Sequence, residues 1–250
     1  MAKNSNGEST ISRAVRLVSA FTAEEPELTV TELSHRTGMS PPTVSRLVAE
    51  LAEHGWLRRD AAKRVRIGVR MWEVAVRAAP VQPLRDAALP VMAKLHNTFR
   101  HPVHLGVSDG GDVLFVARQL AVGVLPRDIR LPMRVPLHAS ASGLVLLAYA
   151  SQPVRAAYLS RLRHPDAKAA SPDPDGLGLR LDEIRRRGFA VWRSERQRAT
   201  AAGVPIRGGD GRVIAALSIL ALHGGVGPDT VSALRSAGAE IQLELESGPR

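Results

Sequence analysis

Pro42, Thr43, Ser45, Arg46 and Ala49 are spaced to share one side of a helix whose other side is Val44, Leu47, Val48 and Leu51. Ser40 precedes them as a cap, with Pro41 at the first helical position, where a missing N–H costs nothing. A helix that hides one face and offers short hydroxyls and a guanidinium fork on the other suits base edges and phosphate oxygens, and Arg46 is the strongest candidate for such a contact. A solvated helical hairpin would present the same face. The following residues favour the first reading. Arg58, Arg59, Lys63 and Arg64 come directly after the helix, on a stretch that alternates as a two-stranded ribbon should. Cations placed there would straddle a nucleic-acid backbone and release counterions on contact.

A second constellation lies further on. Leu137-His138-Ala139-Ser140-Ala141-Ser142-Gly143 leads into the apolar run Leu144–Ala150. Unpaired N–H groups and the helix dipole make such a small-residue entry a cradle for a carboxylate, to which Ser140 or Ser142 could add a hydroxyl. Ordinary capping with close packing against a sheet accounts for the same residues. Arg118 and Arg134 could pair with an acid, although isolated arginines are usually solvated.

Other chemistries find little support. No Gly-x-Ser-x-Gly, Walker loop, Gly-x-Gly-x-x-Gly after a strand or His-Glu-x-x-His occurs, which disfavours an enzyme. Cysteine is absent, which excludes disulfides and thiolate chemistry. His96, His101 and His104 are close in sequence, but Pro102 separates a helix from a strand there and no carboxylate accompanies them; they read as surface or packing histidines, with no metal or cofactor expected. Arg185-Arg186-Arg187 before Gly188 reads as a solvated helix end whose charge complements the dipole. With 44% apolar and 23% charged residues the chain can bury a core, and its longest apolar stretch is far too short to span a bilayer; a cytoplasmic protein with no membrane partner is expected. The net charge of +10 is weaker evidence, since it is not concentrated at the front.

The elements that must position these residues follow from periodicity and punctuation. Ile11, Ala14, Val15, Val18 and Phe21 share one face of a first helix; Thr29 and Glu32 have capping-box spacing at the start of a second, which stops at Gly38; Gly55 ends the third. Helical spacing resumes from Met71 to about Phe99, with breaks expected at Pro80, Pro83 and Pro90. Hairpins are predicted at Val103–Val107 with Val113–Ala117, and at Val204–Arg207 with Val213–Ile219. Helices are predicted near Ser142–Ala150, Val154–Leu162, Leu181–Arg187 and Asp229–Leu245. The fold class is therefore α+β: an N-terminal winged helix-turn-helix, a linker helix, and a larger C-terminal domain with an antiparallel sheet.

The run from Leu28 to Leu47, with Gly38-Met39-Ser40-Pro41-Pro42-Thr43-Val44-Ser45-Arg46-Leu47 at its end, closely resembles the DNA-binding region of the isocitrate-lyase-regulator (IclR) family. Glu53-His54-Gly55-Trp56-Leu57-Arg58-Arg59-Asp60 and Arg66-Ile67-Gly68 resemble its wing. Pro136-Leu137-His138-Ala139-Ser140, Glu183–Phe189 and Ala215-Ala216-Leu217-Ser218-Ile219 resemble its effector domain, so the likeness covers nearly the whole chain. The resemblance implies a GAF-like sensor domain, dimers or tetramers, and binding to double-stranded operator DNA tuned by a small organic acid. The effector positions it implies are Ser140, Ala141, Ser142, Trp192, Ala201, Gly203, Ser218 and Leu220. The chain departs from the family where Gly143-Leu144 replaces a common Gly-Lys, and Ala201 and Leu220 lack the polar atoms of relatives that bind very small acids. Those departures, with Trp192 nearby, predict a less polar pocket for an aromatic or longer-chain acid.

The expected organisation is residues 1–70 as the winged helix-turn-helix, 71–90 as a linker helix, and 91–250 as the effector-binding and oligomerisation domain. The competing readings are a DNA-binding regulator whose C-terminal domain only oligomerises and, further off, a small-molecule enzyme.

Overall fold

The Ser9 hydroxyl accepts a hydrogen bond from the Ser12 amide and opens α1 (Thr10–Val18), the first element of a computed structural model that describes residues 8–78, 81–120, 133–163, 173–194, 198–222 and 225–247. Two units separate between Ala79 and Pro80. In the first, β1 (Glu27–Leu28) leads to α2 (Val30–Thr37), where Thr29 and Glu32 form both halves of the capping box. That reciprocal pairing satisfies two orphan amides and is worth about 1 kcal/mol; it also holds the Glu32 carboxyl below its usual range, through the Thr29 backbone first and its hydroxyl second. A turn through Gly38 in the left-handed region delivers the chain to α3 (Pro41–Glu53). β2 (Leu57–Arg59) and β3 (Val65–Ile67) form the ribbon, and β3 also pairs with β1 in the order β1-β3-β2. The core is Leu17, Leu28, Leu33, Val44, Leu47, Val48, Leu57 and Val65. On α1 it is Leu17 that is buried, whereas Ile11 and Val15 stay exposed. The unit ends with α4 (Val69–Ala78).

The second unit begins with α5 (Gln82–Phe99), which Pro83 and Pro90 do not interrupt as expected. Pro83 occupies the first turn, where no N–H is required, and exposed Pro90 leaves its lost hydrogen bond on the solvent side. The segment 71–90 therefore contains the end of one helix, residues 79 and 80 outside the described set, and the start of another.

The remaining elements are β4 (Val103–Asp109), β5 (Asp112–Gln119), β6 (Met133–Pro136), a 3-10 turn (Leu137–Ala139), α6 (Ala141–Tyr149), α7 (Gln152–Leu162), α8 (Pro174–Arg187), β7 (Ala190–Ser194), β8 (Ala199–Arg207), β9 (Val213–Leu222) and α9 (Pro228–Ser247). α8 begins at Pro174 rather than Leu181, because the Asp173 carboxylate caps the amides of Asp175 and Gly176 in a stretch whose proline and glycines mask the helix. The six strands form an antiparallel sheet in the order β6-β5-β4-β9-β8-β7.

Strand alternation divides the work of the sheet. Val103, Leu105, Val204, Ile206, Leu217 and Ile219 point to one face, where α5 and α9 bury them with Leu84, Met92, Leu234 and Ile241. The other face carries His104, Gly106, Ala201, Gly203, Ala216, Ser218 and Leu220, the intervening positions on the same strands. There α6, nearly all buried, packs with α8 over Phe115, Ala190 and Ala216.

Candidate functional site

The first candidate site is the outer surface of α3 with the ribbon. Val44, Leu47 and Val48 anchor α3 in the core, leaving Ser40, Pro42 and Arg46 exposed and Thr43 and Ser45 half-buried. Ser40 occupies the cap position, but its hydroxyl lies 2.9 Å from that of Thr43 and makes no cap hydrogen bond to an amide. Both hydroxyls therefore sit at the outward end of the helix. Arg58 and Arg59 are exposed on β2, and Lys63 and Arg64 lie in the turn beyond it. The Asp60 carboxylate accepts from the Arg64 amide at 2.8 Å, and the Asp60 and Lys63 amides complete the turn. Among the described residues, Arg46, Arg58, Arg59 and Lys63 form no ion pair, whereas Arg36 and Arg66 pair with Glu25 and Glu27. Four cations of one unit are thus held out to solvent without an internal counter-charge, which is the electrostatic requirement for a phosphate-contacting surface.

The second is a cavity of about 600 Å³ between the sheet and the start of α6. Phe115, Met133, Val135, Trp192, Leu220 and Leu222 supply its apolar walls, and Ala139, Ala141 and Ala201 keep it open. Its polar lining is His104, Ser140, Ser194 and Ser218, and no charged side chain among the described residues lines it. The volume lies within the range usual for small-molecule sites.

Two glycines bring the helix onto the sheet. A Cβ on Gly203 would meet the Ala141 carbonyl carbon and oxygen at 2.9 Å and the Ser142 nitrogen at 3.2 Å, so only glycine on β8 admits the backbone of α6 so closely. A Cβ on Gly143 would meet the Leu137 carbonyl oxygen at 2.1 Å, which ties α6 equally closely to the 3-10 turn. The Ser140 hydroxyl accepts from the Gly143 amide at 3.0 Å and its carbonyl from the Leu144 amide, which leaves the N–H groups of the first residues to the cavity end of the helix. Ser142, fully buried, donates to Ser218 Oγ at 2.7 Å. His138 Nδ1 lies 2.8 Å from the Tyr158 hydroxyl, which fastens the 3-10 turn to α7. Burial lowers the His138 pKa and raises that of Tyr158.

The eight positions named from the sequence converge on this place. Ser140, Ala141, Trp192, Ala201, Ser218 and Leu220 line the cavity; Ser142 stands behind Ser218, and Gly203 supports the helix entry. Arg134 instead pairs with Asp109 at the hairpin end, and Arg118 is not among the lining residues.

Of the two roles the sequence allows His104, surface or packing, the surface one fails: the residue is nearly fully buried against Phe115, and it also lines the cavity. Burial, and secondarily the charge of Arg118 across the β4–β5 ladder, pushes its pKa down to about 4, so the ring is neutral near pH 7. The predicted strand already placed His104 opposite Val103 and Leu105; what was missing was which face held the cavity. Phe115 was missed for the same reason, and Met133 and Val135 because the sequence does not predict their short strand. His96 is elsewhere, its Nδ1 2.8 Å from the His101 carbonyl, and no cluster suited to a metal occurs among the described residues. Nor is any described helix long and apolar enough to cross a membrane.

Comparisons with known proteins give a consistent result. Residues 76–238 match the family model described as bacterial transcriptional regulator IclR C-terminal, and residues 10–61 match the IclR helix-turn-helix domain. The HTH-type transcriptional regulator KipR of Bacillus subtilis (strain 168) is 29% identical over 216 residues, 86% of either chain. A crystal structure of an IclR homolog from Microbacterium hydrocarbonoxydans, complexed with 4-hydroxybenzoate, is 33% identical, with a TM-score of 0.86 over 96% of this chain and 100% of that one. Another IclR homolog, from Microbacterium sp. strain HM58-2, is 31% identical, with a TM-score of 0.60 over 97% and 100% of the two chains.

Proposed function

The chain belongs to the IclR family of bacterial transcriptional regulators, and from that premise we propose that it binds operator DNA through α3 and the ribbon and responds to a small aromatic or longer-chain organic acid held in the C-terminal cavity. Residues 1–70 serve as the DNA-reading domain, 71–90 as the connection, and 91–250 as the sensing and self-associating domain. Arg46, with Ser40, Pro42, Thr43 and Ser45, faces the groove, while Arg58, Arg59, Lys63 and Arg64 hold the phosphates on either side.

One observation carries the effector assignment: an apolar cavity gathers residues from all six strands of the sheet and ends at the start of a buried helix. The helix start suits a carboxylate, and the apolar walls with Trp192 suit a ring or alkyl body rather than a two-carbon acid. The 4-hydroxybenzoate bound by the similar Microbacterium hydrocarbonoxydans protein supports the aromatic class. Self-association is supported by exposed Val69, Trp72 and Val76, which form a stripe at i, i+3 and i+7 on α4. In a dimer or tetramer, paired reading heads would meet pseudo-palindromic half-sites, and effector binding would change their spacing.

Thermal unfolding of the full chain against a panel of aliphatic and aromatic acids tests this function. A ligand at a hundred times its Kd contributes about 2.7 kcal/mol, or about 5–11 °C for a chain of this size. A shift with aromatic or longer-chain acids is expected. Stronger stabilisation by glyoxylate or pyruvate would overturn the size class, and no shift with any acid would leave the C-terminal domain as an oligomerisation module.

A further inference from the structure

One polar group in the cavity has no task in the fold. His104 lines the cavity, is 7% exposed, and meets Phe115 edge-on at 5.4 Å between ring centroids. Among the described residues its ring makes no hydrogen bond. A buried imidazole without a partner is costly, and it is retained where something outside the fold completes it. Ser218 stands directly across the β4–β9 ladder and lines the same cavity. Its oxygen already accepts from Ser142, so its own proton is left to give.

The two polar groupings of the cavity, joined where Ser142 of α6 donates to Ser218, therefore differ in kind. The start of α6 offers N–H donors together with the proton of Ser140, whose oxygen already accepts from Gly143, and donors match a carboxylate, a group that only accepts. His104, held neutral by burial and then by Arg118, has one ring nitrogen that donates and one that accepts. Together with the Ser218 proton, it matches a group that both gives and takes a hydrogen bond.

We propose that His104 and Ser218 jointly receive a hydroxyl carried by the effector, which is accordingly a hydroxy-substituted carboxylic acid rather than a simple one. The hydroxyl donates to the bare ring nitrogen of His104 and accepts from Ser218 Oγ, while the carboxylate lies at the start of α6. His104 is thereby a specificity-determining contact. The proposal rests on the assignment of the cavity as an organic-acid site.

Titration calorimetry on the full chain separates the two claims. The probes are benzoate with its 2-, 3- and 4-hydroxy isomers, and hexanoate with 2- and 6-hydroxyhexanoate. In the unmodified protein one hydroxy acid is expected to bind at least about 10-fold more tightly than its parent. In His104→Phe that preference falls to within about twofold while the parent acid keeps its affinity, and His104→Gln, whose amide can still give and take, retains part of it. The same preference in His104→Phe, or parent acids that bind as well as every hydroxy acid, overturns the role of His104 and leaves the organic-acid site standing. Failure of every acid in both series to bind the unmodified protein overturns the site and the proposal together. Should His104→Phe fail to fold, the ring nitrogen shifts of His104 in unmodified protein, measured by NMR with and without the preferred acid, decide the matter: a shift is expected, and unchanged resonances at saturation overturn the proposal.

Discussion

The reading head and the cavity solve opposite problems. Between Ser40 and Arg64 the head lines up its polar groups in one short stretch and leaves Arg46, Arg58, Arg59 and Lys63 exposed without an ion pair among the described residues. The cavity draws His104, Ser140 and Ser218 from three elements spread over more than a hundred residues of the chain, buries His104 and Ser218, and uses no charged lining side chain among the described residues. Exposed, hydrated cations suit a polyanion at little cost to the fold. A small ligand is met with neutral groups fixed by packing, which the fold must stabilise. Perturbing the cavity should therefore disturb stability first, and perturbing the head should disturb binding first.

The largest expected effect is on pH dependence. His104 has a pKa of about 4 in the folded chain against 6.5 when unperturbed, through burial first and Arg118 second. Below about pH 6.5 the unfolded chain takes up a proton that the folded chain refuses, so this share of stability is present above pH 6.5 and is lost as pH falls to about 4. The full difference is roughly 3 kcal/mol, and His138, shifted the same way by burial, adds to it in sign. Urea unfolding of the full chain at pH 7 and pH 4.5 should show a smaller loss in His104→Phe than in the unmodified protein. Equal losses would mean that the imidazole is not buried neutral, and the contrast with the head would weaken.

Next comes the close approach that forms the cavity. Gly203→Val must displace backbone of Ala141 and Ser142, not a flexible side-chain end, and should cost about 2–3 kcal/mol. The acid-induced thermal shift should disappear while affinity for DNA at low salt is kept. Unimpaired ligand response in this variant would show that the start of α6 is not part of the site.

These two residues also mark the boundary of what was legible. The capping box at Thr29, the buried stripe of α3 and the cationic ribbon depend on neighbours within a few positions, and the pattern of the chain displays them directly. The strand position of His104 was equally legible, whereas the predicted strand began at Val204 and left out Gly203; the meaning of both residues depends on the β4–β9 and β8–β9 pairings and on α6 crossing above, all non-local. Even Ser142 and Ser218 were named by likeness; nothing local announces a hydrogen bond between residues 76 apart. The edge strands β6 and β7 were missed because four or five residues are too few for alternation to show.

On the head, Arg46→Ala should weaken binding to cognate DNA by about 2 kcal/mol, near thirtyfold, with an unchanged unfolding midpoint because the side chain is exposed and unpaired. Fluorescence anisotropy on cognate and scrambled duplexes checks this. Loss on both duplexes alike would make Arg46 a phosphate contact instead of a base contact, and no loss on either would remove α3 from the interface.

The smallest effect sharpens the contrast most, because its two parts have opposite signs. Lys63 sits in the turn of the ribbon with φ 62°, in the left-handed region that costs a side-chain-bearing residue about 1 kcal/mol relative to glycine. Lys63→Gly should therefore raise the urea midpoint slightly, since the turn loses strain and the exposed side chain has no ion pair to lose. The same change removes one phosphate contact, so the slope of log affinity against log salt should fall by about 0.9 with little change in sequence preference. A residue kept at a strained position against the stability of its own domain needs a compensating contact elsewhere, and the proposed phosphate contact would supply one. An unchanged salt slope in the more stable variant would place the ribbon turn outside the interface, and would narrow the head to α3 and the β2 arginines.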